Sequence, residues 1–274
     1  MNKLSIEKRA QVIGCLVEGI SIRSTVRITG AAKNTVTKLV VELGAACADY
    51  MDKNLRDLPC TKIQCDEIWS FCNSKEKNVP EGHKGELGYG DVYTWTALCA
   101  DTKLIPSFMV GKRDAEYGNA FMLDLASRLK NRVQLTTDGH KVYLNAVENA
   151  FGSEIDYAML VKVYGGTTKE DPRKYSPAEC TGAELVTITG KPDEKHISTS
   201  YVERQNLTMR MSMRRFTRLT NGFSKKIENH YFTTAMYFMY YNFGRIHKTL
   251  RVPPAMEAGI SDHVWTLEEI AGMI

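Results

Sequence analysis

Along residues 5 to 53 the apolar positions return every three or four residues, the spacing of one helix face. Ile6, Ala10, Ile13 and Val17 make the first stripe, with Ser5 placed to cap it and Gly19 to end it. "SIRSTVRITG" predicts a short second helix, capped by Ser21 and stopped by Gly30. "AAKNTVTKLVVELGAACADYM" predicts a longer third, with Val36, Leu39, Val40, Leu43 and Cys47 on one side. A short helix, a glycine turn and a longer helix form the pattern of a helix-turn-helix; a small helical oligomerisation unit shares it. The start of the third helix carries Lys33, Asn34, Thr35, Thr37 and Lys38, side chains suited to base edges and phosphates.

"NLRDLPC" reads as a linker, and after Pro59 the period shortens. "TKIQCDEIWSFC", "DVYTWTALCADT" and "KLIPSFMVGKR" predict three strands, the last two antiparallel around Asp101. Lys75 to Gly90, rich in Gly and Lys, predicts a mobile loop. "DAEYGNAFMLDLASRLK" predicts a helix with Phe121, Leu125 and Leu129 on one side. "RVQLTTDG", "HKVYLNAVENAF" and "IDYAMLVKVYG" predict strand, helix and strand. Residues 165 to 195 read as irregular apart from "ELVTIT". A basic helix follows over "TSYVERQNLTMRMSMRRF", then a last one from Ser224 to Phe243. Strands meeting helices in this order predict a mixed α/β layer fold.

Composition adds little until its distribution is considered. The 274 residues are 43% hydrophobic and 25% charged, as in an ordinary globular protein, with a net charge of +4. From His196 to Arg251, however, ten Lys or Arg face two acids, Glu203 and Glu228. Charge gathered this way suits a polyanion such as nucleic acid; the alternative is a solvated face on an ordinary enzyme. The seven cysteines are scattered without a C-x-x-C pair, which gives no support to a zinc finger or redox motif and favours reduced thiols. There is no signal-peptide pattern, and "FTTAMYFMYYNF" is too short and polar to span a bilayer, so a cytoplasmic protein is expected.

Three acids fall where sites are built. Asp66 lies in the first strand, Asp138 ends the fourth, and Glu203 opens the basic helix. They converge if that helix packs beside the sheet. Oxygen ligands of this kind favour Mg²⁺ or Mn²⁺, and three carboxylates hold two such ions about 4 Å apart for in-line attack at phosphorus. Each acid has a structural alternative. Asp138 precedes a glycine turn, Glu203 has Arg204 and Arg210 as ion-pair partners, and strand alternation lets only one of Asp66 and Glu67 face the site. His140 and His247 read as hydrogen-bonded structural histidines, and Trp69 and Trp95 as core.

The segments "CDEIWSF", "QLTTDGH", "TSYVERQNLTMRMSMRRFTRLTNGFSKK" and "YNFGRIHKTLRVPPAMEAG" together resemble the DDE transposases of bacterial insertion sequences, most closely the insertion-sequence-1 type. The resemblance covers nearly the whole chain. It implies an RNase H-like mixed-sheet catalytic core over residues 60–250, a small all-α helix-turn-helix domain over 1–55 and a tail over 251–274. It implies a metal-binding, catalytic triad of Asp66, Asp138 and Glu203, two Mg²⁺ or Mn²⁺ ions, and the cutting and joining of double-stranded DNA at transposon ends and target by a homo-oligomer in the bacterial cytoplasm, at the nucleoid. Arg210 matches the family's basic residue two turns after the glutamate, and seven residues at about 3.6 per turn do place it on the face of Glu203. Lys33, Asn34, Thr35, Lys38, Arg204, Arg214, Arg215, Arg245 and Lys248 are the further DNA-contact candidates. Longer members of this type carry a cysteine-rich zinc finger ahead of the helices, so recognition of the ends would rest here on residues 1 to 55, unless the chain is a shortened form. A nuclease of the same fold that does not join, and a DNA-binding regulator with an inert core, are the alternatives.

Overall fold

The computed structural model describes residues 3–165 and 180–274. Three helices come first: α1 (Ile6–Val17), α2 (Ile22–Thr29) and α3 (Lys33–Asn54). Ser5 caps α1 by accepting from the Lys8 amide, and Ser21 caps α2 through Ser24. Gly30 ends α2 at φ 71°, a left-handed turn that costs glycine little and other residues more. α3 packs on α7 (Ile227–Met239), and α1 on α9 (Leu267–Ala271). The α3–α7 approach depends on Gly44, because a Cβ there would overlap the Phe232 carbonyl.

The sheet has six strands: β1 (Lys62–Cys72), β2 (Gly90–Cys99), β3 (Phe108–Gly111), β4 (Gln134–Asp138), β5 (Asp156–Tyr164) and β6 (Cys180–Thr189). Their order is β3-β2-β1-β4-β5-β6. β1 and β2 pair antiparallel, as do β2 and β3, whereas β4 runs parallel to both β1 and β5. This mixed α/β arrangement is consistent with an RNase H-like core. Alternation along β1 divides its side chains between two helical layers. On one face, α4 (Ala115–Arg128) and α5 (Val142–Phe151) cover the sheet, with Trp95 of β2 against Phe121 and Tyr143. On the other lies α6 (Ser200–Ser212), whose first amides, those of Tyr201 and Val202, donate to Gln64 Oε1 at 2.9 and 3.1 Å. Phe121 and Leu125 are fully buried, and burial of each such apolar side chain contributes roughly 1.5–3 kcal/mol. The buried apolar core is continuous from Ala10 in α1 to Ala271 in α9.

Several elements differ from their sequence pattern. The strand expected from Lys103 to Arg113 is regular only from Phe108; Pro106 donates no amide, and Ile105 pairs instead with the Asn242 carboxamide. Lys75 to Gly90 holds two 3₁₀ turns, fastened where Glu76 Oε2 accepts from the Asp91 amide and where His83 stacks on Tyr89. β6 begins at Cys180 rather than at Glu184, because its backbone pairs with β5 even where its side chains are exposed. Part of the irregular stretch expected from 165 to 195 lies outside the described residues. The basic helix stops at Ser212: Met213 is extended, and Arg214–Phe216 form a single 3₁₀ turn that buries Met213 and Phe216. The last long helix starts at Ile227, not Ser224, because Ser224 bridges Cys72 of β1. It ends in a π turn, Tyr240–Gly244, that buries Tyr241, Asn242 and Phe243. α8 (Pro254–Glu257) follows.

Candidate active site

Register brings the two aspartates together. β1 and β4 are parallel neighbours paired through Cys65 and Thr137, so the next residues, Asp66 and Asp138, stand side by side where β4 ends. One carboxylate oxygen from each, with one from Glu67, lies within 4.8 Å of the others. Asp66 Oδ1 accepts from the Glu67 amide at 2.8 Å, and Oδ2 from Asn206 Nδ2 at 2.8 Å. Asp138 Oδ1 accepts from the His140 amide at 3.0 Å, the bond that turns the chain out of β4.

The cluster is electrostatically uncomfortable. Burial first, then the charges of Glu67 and Asp138 and more weakly Glu203, push the Asp66 carboxyl up to about 7. Glu67 is also raised, chiefly by burial; its side chain is only 1% exposed. It projects to the opposite face of β1, toward α5. There its Oε2 accepts from Arg113 Nε at 2.9 Å, and Arg113 Nη2 stands 3.7 Å from Asp138 Oδ2. Among the described residues, Glu67 Oε1 and the Tyr143 hydroxyl are both buried without a partner that meets hydrogen-bond geometry, although the hydroxyl is near enough to favour the ionised carboxylate. His140 differs from the sequence expectation. Its Nε2 is buried with no partner among the described residues, its ring stacks on Trp95, and burial followed by the Arg113 charge lowers its pKa.

Glu203 sits in the first turn of α6, three residues before Asn206 and so on the same side. Its Oε1 accepts from Lys162 Nζ of β5 and from Thr199 Oγ1, each at 2.5 Å. Glu203 is therefore held beside the cluster by a lysine, while Glu67 completes the tightest carboxylate set. These donors fit a hard divalent cation: the three clustered acids are all oxygen ligands, and Asn206 Oδ1 is buried without a partner among the described residues. Alternation did put Asp66 and Glu67 on opposite faces. β2 still pairs with β1 at both residues, but β4 pairs with β1 only as far as Thr137, so on that edge no strand separates the two faces and both carboxylates reach the cluster.

The expected cations divide into exposed and engaged groups. Arg204, Arg214 and Lys248 are exposed. Arg210, half-buried, donates to the Phe216 carbonyl at 3.3 Å; burial and Arg218 hold it down to about 10, against the pull of Asp66. Arg245 donates to Ser212 Oγ at 3.1 Å. Arg215 is turned inward, contrary to a place on an open basic face, because the chain leaves helical geometry at Met213. Its Nη1 donates to Ser224 Oγ at 2.7 Å, and burial brings its pKa down to about 10. A one-way chain continues from there. Ser70 donates to the Val92 carbonyl, so it accepts from His230 Nε2, and Ser224 donates to His230 Nδ1. His230 is neutral, brought down to about 3 by burial and then by Arg215. At the start of α3, Lys33, Asn34, Thr35 and Lys38 are exposed, with Lys38 3.4 Å from Glu42. Asn34, Thr35 and Lys38 edge a cavity of about 550 Å³ that Lys3 and Arg9 also line.

No protein-family model matches the chain, and no curated protein matches it. Among solved structures it is similar to a piggyBac transposase synaptic complex with hairpin DNA, at 11% identity and a TM-score of 0.39, over 99% of this chain and 70% of that one. So slight a likeness carries no inference about this chain. Sequence reasoning missed Glu67 as a member of the cluster, and Arg113, Lys162 and Asn206 altogether. Asn206 alone had a local signal, its place one turn after Glu203. Arg113 and Lys162 arrive from other elements, and no local pattern marks them.

Proposed function

We propose that this chain is a transposase that binds the ends of a mobile DNA element and cuts and joins DNA by metal-dependent phosphoryl transfer. The observation that carries the reading is the meeting of Asp66 and Asp138 at adjacent parallel strands, with Glu203 alongside on α6. The resemblance of the segments around these acids to the insertion-sequence-1 type supports the same assignment. Asp66, Asp138 and Glu203 would hold Mg²⁺ or Mn²⁺, two ions at full occupancy, with Glu67 close enough to share the load. A divalent cation there supplies Lewis acidity toward phosphate oxygens and favours in-line attack.

The chain's own residues do the rest. Lys162 keeps Glu203 oriented through Oε1 and, among the described residues, leaves its other oxygen uncommitted. Arg113 braces Glu67 and offsets part of the negative field at Asp138. Arg210, fixed on the Glu203 face of α6, offers a cation to the DNA backbone next to the reacting phosphate. Arg204, Arg214, Arg245 and Lys248 extend that contact, and Lys33, Asn34, Thr35 and Lys38 read the terminal repeats. Residues 1–55 act as the helix-turn-helix domain, 60–250 as the catalytic domain and 251–274 as its tail. Two DNA ends must be brought together before each is joined to the target, so the working form is a homo-oligomer on double-stranded DNA.

The test is strand transfer from a pre-cut end in Mg²⁺ or Mn²⁺. Joined product is expected from the wild type and none from Asp138→Asn. Cleavage without joining would make the chain a nuclease of the same fold. End-specific binding with neither reaction would make it a regulator with an inert core.

A further inference from the structure

Asn206 has a role that the three acids leave open. It is 8% exposed, on the turn of α6 after Glu203, and its Nδ2 donates to Asp66 Oδ2 at 2.8 Å. That orientation is the favourable one, because the reversed carboxamide would set a carbonyl oxygen against a carboxylate oxygen. Its Oδ1 is consequently left buried, with no partner among the described residues. Amide nitrogen and oxygen are about 2.3 Å apart, so Oδ1 lies within about 5 Å of Asp66 Oδ2. This is comparable with the 4.8 Å spread of the carboxylate cluster. Neither nearby cation serves it: Lys162 is engaged by Glu203 and Arg113 by Glu67.

A buried acceptor without a donor is unfavourable, and sites that retain one have a use for it. We infer that Asn206 is a further ligand of the divalent cation, fixing Asp66 through its amide and offering Oδ1 to the ion or to a water on it. The inference rests on the metal centre proposed above. A carboxamide suits this position because it adds a hard oxygen without adding charge to a cluster already crowded with carboxylates. It also couples α6 to β1 at the point where Asp66 must hold its geometry.

The experiment is Mn²⁺ titration of the metal-stripped full chain, with free Mn²⁺ read by electron paramagnetic resonance. Asn206→Leu should bind Mn²⁺ about 10- to 100-fold more weakly. Asn206→Asp keeps an oxygen ligand but cannot donate to Asp66, and should bind more tightly than Asn206→Leu. Thermal unfolding in chelator reports folding; if the leucine variant does not fold, Asn206→Ala takes its place. Unchanged binding in Asn206→Leu, or binding in Asn206→Asp no tighter than in Asn206→Leu, overturns the assignment. Asp138→Asn separates the two levels. If it leaves Mn²⁺ binding intact, the metal centre fails and this inference with it; if it abolishes binding while Asn206→Leu binds as tightly as the wild type, only Asn206 is wrong.

Discussion

Replacing Asp66 by Asn should make the metal-free protein more stable, and increasingly so as pH rises. The folded carboxyl titrates near 7 against an ordinary value of 3.8, a gap of about three units or about 4 kcal/mol at about 1.4 kcal/mol per unit. The sign follows from linkage. A raised folded pKa means the native state holds its proton longer, so this contribution is fully present below about 4 and is lost as pH climbs through 7. Between pH 5 and 8 the loss amounts to roughly 2.5 kcal/mol, because part is already spent by pH 5. Asparagine carries no charge to desolvate beside Glu67 and Asp138, and its amide can donate to Asn206 Oδ1 once that carboxamide turns over. Urea unfolding in chelator at pH 5 and pH 8 measures both proteins. The stability of the variant relative to wild type should grow by roughly 2.5 kcal/mol between the two pH values. A pH-independent difference would mean that Asp66 is neither desolvated nor crowded by the other acids. Divalent cation should reverse the order, stabilising the wild type by mass action and the variant less.

Neighbouring arginines should separate. Arg214→Ala should weaken DNA binding and flatten the plot of log K against log salt by roughly 0.9 per lost phosphate contact, with the melting temperature unchanged. Arg215→Ala should instead cost roughly 1–2 kcal/mol of stability through Ser224 and the lost packing of its stem, with little change in salt slope. Gly44→Ala should destabilise by about 1–3 kcal/mol in thermal melts, since its Cβ meets the Phe232 backbone across the α3–α7 contact.

Local order was legible in the sequence because it depends on near neighbours. Ser5, Ser21 and Gly30 fix the ends of α1 and α2 through bonds within a few residues, and the three-to-four spacing from Val36 to Cys47 becomes the buried side of α3. The placement of Asp66 in β1, Asp138 at the end of β4 and Glu203 on α6 was equally readable from period and turn residues. The limits of the basic helix were not. Polar and apolar spacing continues past Ser212, and the break at Met213 arises from burying Met213 and Phe216 and tying Arg215 to Ser224, partners outside the segment.

By itself, then, the chain determined which residues lie on which element and on which face, because helix and strand periods are properties of a few consecutive residues. Tertiary structure alone decided which charges meet. The parallel register of β1 with β4 sets Asp138 beside Asp66. The end of β4 admits Glu67, and α6 delivers Asn206 rather than Glu203 into direct contact with Asp66. Lys162 and Arg113 take up Glu203 and Glu67 from β5 and the β3–α4 turn. Such pairings follow from burial, which penalises each unpaired charge until a distant partner or a cation answers it.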